Sequence, residues 1–221
     1  MDIVEISTIV FFALSSILAA FLTRAYLRKR EKSCLYWSIG FWFFALSDLL
    51  EVLFAFGVGA AGLLMVQLYL FVIAFMVIPI AMGSLELVKS MLARRLYVVY
   101  SAVTAVFLAY YTFSASMSNM VADGMVAGAI PMSVILYSSL ITVPATIIII
   151  GIAALSLVRR RKLKMLWIIA GMLAFAFGGM MYVASFPAAI YYVEFFGLVM
   201  LWLGFFDLGT NARKPGATRK R

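Results

Sequence analysis

The chain has 221 residues, 66% of them hydrophobic and 12% charged, with a formal net charge of +9 and a mean hydropathy of +1.11. Water-soluble domains are roughly 45–50% apolar and about a quarter charged, so this composition excludes a soluble domain anywhere in the chain. Histidine is absent and Cys34 is the single cysteine, which removes an intramolecular disulfide, a cysteine metal cluster and the commonest general base.

Apolar runs long enough to cross a bilayer, about 20 residues each, are expected in chain order over Ile3–Tyr26, Tyr36–Gly57, Gly62–Val88, Leu96–Met117, Gly128–Val158, Met165–Ser185 and Ala188–Gly209. They are uniformly apolar over twice the length of an alternating barrel strand. The expected fold class is therefore all-α, an integral membrane bundle of seven transmembrane helices. Residues 1–210 form its single domain, and residues 211–221 form a short basic tail. The acidic start, with Asp2 and Glu5, lacks the basic n-region of a cleaved signal peptide, so the first run is expected to be a retained anchor.

All 18 Lys and Arg residues fall in the clusters Arg24–Lys32, Lys89–Arg95, Arg159–Lys164 and Arg213–Arg221. These occupy every second connection. Basic residues flanking spans stay in the cytoplasm, which places the N-terminus outside and the C-terminus in the cytoplasm of a plasma membrane. The outer connections Val58–Ala61, Ser118–Ala127 and Phe186–Pro187 carry no base and one acid, Asp123. Positive charge spread over helix ends suits anionic lipid headgroups at Arg24–Lys32, Arg159–Lys164 and Arg213–Arg221. A nucleic-acid partner would need the charge on one folded face and is not expected. A membrane or cytoplasmic protein partner remains open.

Pro79 and Pro144 lie inside spans, where each removes a backbone hydrogen bond. Thr142 and Thr146 flank Pro144 and are expected to satisfy carbonyls it frees. Ala170, Ala174 and Gly178 recur at four-residue spacing, and Gly197 and Gly204 lie seven apart. Small residues so placed let helix backbones approach, so the sixth and seventh spans are expected to pack tightly.

Nine acids are present. Asp2, Glu5 and Asp123 belong to the outer face. Glu31, Glu86 (three before Lys89) and Asp207 are expected to pair with cytoplasmic bases. Asp48, Glu51 and Glu194 lie inside spans, where a charge costs at least ~2.5 kcal/mol and marks a functional candidate. At 1.5 Å per residue, Glu51 and Glu194 sit roughly 9 Å below the outer surface and Gln67 about 8 Å. Asp48 lies one turn beneath Glu51 on the same face. Tyr191 stands three before Glu194, and Tyr69 two after Gln67. If the second, third and seventh spans adjoin, Asp48, Glu51, Gln67, Tyr191 and Glu194 form an outward-facing polar site for a ligand or ion. Carboxylates a few Å apart do not both stay ionised without a cation, so such a site takes a proton or an ion. The other reading of the same residues is a hydrogen-bonded network that fixes helix packing. The chain lacks HExxH, GxSxG and any catalytic triad, and no enzymatic activity is expected.

Seven short-looped helices with the N-terminus outside resemble the microbial rhodopsins in overall shape. In that family the last helix carries an acidic counter-ion and, four residues later, the lysine that holds retinal. With Glu194 at the acid position, Leu198 stands at the lysine position, and no expected span contains a lysine. Retinal is thereby excluded, and no cofactor is expected. The stretch Tyr36-Trp37-Ser38-Ile39-Gly40-Phe41, running on to Leu49-Leu50-Glu51 after a basic loop, resembles the membrane sensor regions that precede prokaryotic signalling kinases. In those proteins an output domain follows the last helix, whereas here Asn211–Arg221 follows, which implies a separate output partner. The expected function is a non-enzymatic sensor or receptor module. A cation- or proton-coupled transporter or channel, or a scaffold subunit of a membrane complex, are the alternatives.

Overall fold

The computed structural model describes residues 3–58, 62–88, 90–117, 121–122, 125–126, 130–160, 164–183 and 187–210, without the side chains at 3, 121–122, 125, 159–160, 164, 178–183, 187–191 and 206–210. It is helical: α1 (Ile3–Lys29), α2 (Lys32–Ala55), α3 (Leu63–Phe75), α4 (Val77–Leu85), α5 (Met91–Ser114), α6 (Met132–Arg160), α7 (Lys164–Val183) and α8 (Pro187–Thr210). Five helices are long and apolar enough to cross a membrane: Val4–Lys29, Lys32–Ala55, Leu63–Leu85, Met91–Ser114 and Met132–Val158. The third joins α3 and α4 through Met76, so the eight helical segments make seven rods. In α7 and α8 the apolar stretches with described side chains are Met165–Phe177 and Tyr192–Phe205. A two-residue antiparallel ladder, β1 (Val121–Ala122) with β2 (Met125–Val126), interrupts the otherwise all-helical plan between α5 and α6. Asp123 lies outside the described residues.

The rods differ from the expected spans mainly at the basic connections. Helix α1 runs on to Lys29 and α5 begins at Met91, so Arg28, Lys29, Arg94 and Arg95 are helical rather than loop residues. Long aliphatic stems let such side chains keep their charges at a membrane boundary while the backbone stays helical. At the α4–α5 junction Glu86 accepts two bonds from one Arg94 nitrogen, at 2.8 and 2.7 Å. Its described partner is thus Arg94, and Lys89 lies outside the described residues. At the opposite end α2 stops where Gly57 adopts φ 70°. The Gly57 amide donates to the Phe54 carbonyl and the Val58 amide to the Leu53 carbonyl, a pattern that satisfies orphan carbonyls and favours glycine.

Consecutive rods pack on one another, and α1 closes against α8. Helix α4 also packs against α6, so α5 lies outside the junction of those two and leaves Leu92, Leu96, Val99, Val103 and Val106 exposed. The α1 seam is read directly from its spacing. Thr8, Phe11, Ser15, Leu18, Leu22 and Ala25 are all buried and recur at intervals of three and four, the seam periodicity of packed helices. On α2, Gly40 lets the α4 backbone approach: a Cβ there would stand 2.9 Å from the Met76 carbonyl oxygen.

The expected tight pair is α7 with α8. Cβ atoms built at Gly171 and Gly197 would meet the Gly197 carbonyl at 2.9 Å and the Ala174 Cβ at 3.3 Å, respectively. At Gly204 a Cβ would stand 3.2 Å from the Ile168 backbone nitrogen. Gly171, adjacent to the expected Ala170, makes the close approach, and the surroundings of Gly178 lie outside the described residues. Pro144 lies inside α6, and the carbonyl four residues earlier, that of Leu140, has no amide to accept from. That carbonyl instead accepts from the Tyr100 hydroxyl of α5 at 2.5 Å. The expected local relief by Thr142 and Thr146 is thus replaced, at this carbonyl, by a neighbouring helix.

Candidate functional site

Helix α2 carries Asp48 and Glu51 one turn apart, and α8 carries Glu194. The three lie within electrostatic reach of one another: Glu194 of both Glu51 and Asp48, and Asp48 of Glu51. The level shared by Glu51 and Glu194 follows from the ring contact between Phe41 of α2 and Phe205 of α8, centroids 5.7 Å apart. Ten and eleven residues onward along these antiparallel helices, a climb of about 15–16 Å, the two glutamates stand at one height. Their end of the bundle is the one opposite the basic clusters.

Each acid meets a different neighbour. The Tyr69 hydroxyl of α3 donates to a Glu51 carboxylate oxygen at 2.5 Å, and the Tyr69 ring lies edge-on to Phe54 at 5.9 Å. Asp48 faces the Ser15 side chain of α1, whose hydroxyl donates to the Phe12 carbonyl at 3.2 Å. Asp48 is 4% exposed, and its Oδ2 has no hydrogen-bond partner among the described residues. Glu51 and Glu194 above it are half-buried. Beside Glu194, Phe195 packs against Phe11 of α1 at 6.3 Å, and Trp202 donates its indole N–H to the Leu14 carbonyl at 3.2 Å. Four rods therefore hold the acids: α1, α2, α3 and α8.

Gln67 stands at the expected depth but turns elsewhere. Its amide nitrogen donates to the Phe113 and Ala115 carbonyls at 3.3 and 3.0 Å, closing the open C-terminal turn of α5. Positions 67 and 69 are about 200° apart around a helix of 3.6 residues per turn, so one face of α3 serves α5 and the other serves Glu51. The side chain of Tyr191 lies outside the described residues. Ser15 was not expected in the site. Its signal is a hydroxyl placed in the apolar seam of α1, seven residues after Thr8.

A buried acid oxygen without a donor, beside two further carboxyls, is an environment for a positive charge or a proton. Among the described residues, no group of three or more His, Cys, Asp and Glu side chains is arranged to hold a metal ion. A carboxyl cluster in such an environment can hold a proton or a small cation. Toward the other end of the bundle, hydroxyls and indoles join helices. Thr23 and Ser38 oxygens lie 2.7 Å apart, Trp42 donates to Thr23 at 3.1 Å, and Trp37 donates to Ser84 at 3.4 Å. No protein family, curated protein or solved structure matches the chain.

Proposed function

We propose that this protein is a seven-helix plasma-membrane module of sensor or receptor type, with its N-terminus outside, whose ligand is a proton or a small monovalent cation held by Asp48, Glu51 and Glu194. The observation that carries this reading is the unpartnered, buried Asp48 oxygen at the foot of two further acids contributed by α2 and α8. Basic residues at the opposite end support the orientation and suit anionic lipid headgroups or a cytoplasmic output partner. The module is non-enzymatic and carries no cofactor. Binding at the acids draws α8 toward α2, and the shift is read at the basic end. This requires a ligand with unequal affinity for two helix arrangements.

Tryptophan fluorescence of the protein in nanodiscs tests the reading, because Trp202 sits two turns along α8 from Glu194 and its ring lies 6.0 Å from Phe21 of α1. Titration with acid, sodium or potassium is expected to change the emission. The combined Glu51→Gln and Glu194→Gln variant is expected to remain folded and unresponsive. A folded double variant that responds like the wild type overturns the proposal. The hydroxyls of Thr23, Ser38 and Ser84 at the basic half favour, as a second reading, a cation- or proton-coupled transporter, for which they would form the inner part of a path.

A further inference from the structure

The inward face of α2 changes character along its length. Positions 37, 41, 44, 48 and 51 recur at intervals of four and three, so they share one side of the helix. From the basic end outward they read Trp37, Phe41, Phe44, Asp48, Glu51: three rings followed by two carboxyls. All but Glu51 are buried.

The rings do not stand alone. Phe205 of α8 lies edge-on to Trp37 at 5.0 Å and to Phe41 at 5.7 Å. Phe41 meets Phe44 at 6.4 Å, and Phe44 meets Phe175 of α7 at 5.3 Å, with interplanar angles of 66° and 83°. Edge-to-face contacts at these separations are the favoured geometry of aromatic pairs. One continuous chain of five rings thus spans α2, α7 and α8. Its Phe41 and Phe44 rings lie between the acids and the level of the Thr23, Ser38 and Ser84 hydroxyls, a level that Trp37 shares through its bond to Ser84. An ion crossing the layer would lose its hydration without gaining a polar partner, and apolar constrictions of this kind stop ions by staying dry.

We propose that this aromatic layer is an ion barrier that makes the acid site one-sided, so that protons or small cations reach and leave Asp48, Glu51 and Glu194 only from the end opposite the basic clusters. The inference rests on the acid-site reading and extends it: Phe41 and Phe205, which touch no ligand, decide that the site receives and does not conduct.

The full chain reconstituted in proteoliposomes loaded with a pH-sensitive dye tests the barrier, with the membrane potential clamped by potassium and valinomycin. Wild-type vesicles are expected to hold an imposed pH gradient. The Phe41→Ala and Phe205→Ala double variant is expected to dissipate it at least tenfold faster, and adding Glu194→Gln is expected to slow the leak again. Wild-type vesicles as leaky as the variant, or a folded variant as tight as the wild type, overturn the barrier. A leak that survives Glu194→Gln supports the barrier and counts against the acid site, so the two failures are distinguishable. Should the alanine pair not fold, thiol labelling answers the same question. In a Cys34→Ser background, Glu51→Cys is expected to react with an impermeant methanethiosulfonate from the end opposite the basic clusters alone. Labelling from the basic end overturns the proposal.

Discussion

The contact between Tyr100 and Leu140 offers a quantitative test of how a proline is accommodated within α6. Pro144 has no amide hydrogen, and the Leu140 carbonyl it leaves open accepts from the Tyr100 hydroxyl at 2.5 Å. Replacing Tyr100 by Phe keeps the ring and removes only the donor. An unsatisfied carbonyl away from water costs about 1–3 kcal/mol, while measured interhelical hydrogen bonds in membranes average about 0.6 and reach about 1.7 kcal/mol. The bond lies between mid-helix positions, so the expected loss for Tyr100→Phe is about 1–1.5 kcal/mol, roughly a tenfold change in the unfolding equilibrium. Pro144→Ala returns an amide to Leu140 from within α6, and in that background Tyr100→Phe should cost little. A double-mutant cycle, read by SDS-induced unfolding in bicelles followed by far-ultraviolet circular dichroism, should give a coupling of about 0.6–1.5 kcal/mol. Additive single effects would refute the reasoning, since they would show that the hydroxyl does not serve the carbonyl that the proline frees.

Four further outcomes follow from the packing and the acids. Gly171→Val places side-chain atoms against the Gly197 carbonyl and should destabilise by about 1–3 kcal/mol, whereas Gly151→Ala, with nothing within 4 Å of the added carbon, should raise stability by about 0.5–1 kcal/mol; thermal unfolding of the two variants side by side checks the contrast. Asp48→Asn preserves shape while removing the ionisable group, so it should melt at or above the wild-type temperature and lose the tryptophan response to acid or cations. Tyr69→Phe should weaken the fold by about 1 kcal/mol, and the loss should shrink in a Glu51→Leu background, measured by the same unfolding cycle. Arg94→Ala should cost at most about 1 kcal/mol, since its ion pair with Glu86 leaves the two side chains 27% and 15% exposed, and the cost should fall at high salt.

Depth along a helix is legible in a sequence of this kind, because the rise per residue is fixed and basic clusters mark one boundary. Numbering alone therefore places Glu51 and Glu194 on one level. Rotation about the helix axis is not legible until a neighbour is known. Gln67 and Tyr69 illustrate the difference: both have the right height, yet only Tyr69 faces Glu51, while Gln67 closes the end of α5. Contacts between helices distant in the chain were equally hidden. Nothing near Pro144 indicates that Tyr100 will supply its missing donor, and nothing near Asp48 indicates Ser15. The approach of α7 to α8 was foreshadowed by its small residues, but a row of alanines and glycines does not say which one is innermost. Gly171, one place from Ala170, takes that position.

The link between α1 and α2 bears on how firmly the two helices are held in register. Only Arg30 and Glu31 separate the two helices, and Arg30 stands at φ 56°, in the left-handed region that an L-residue enters at a cost of about 1–2 kcal/mol. So short a link leaves no slack for the helices to slip by a turn or to part. Thr23 and Ser38, 2.7 Å apart, lock the pair three turns from the acids. The two helices therefore form one hairpin with fixed register, in which Ser15 of α1 lies beside Asp48 of α2. One stretch of chain, residues 3–55, thus holds two of the three acids, and α8, far along the sequence, supplies the third.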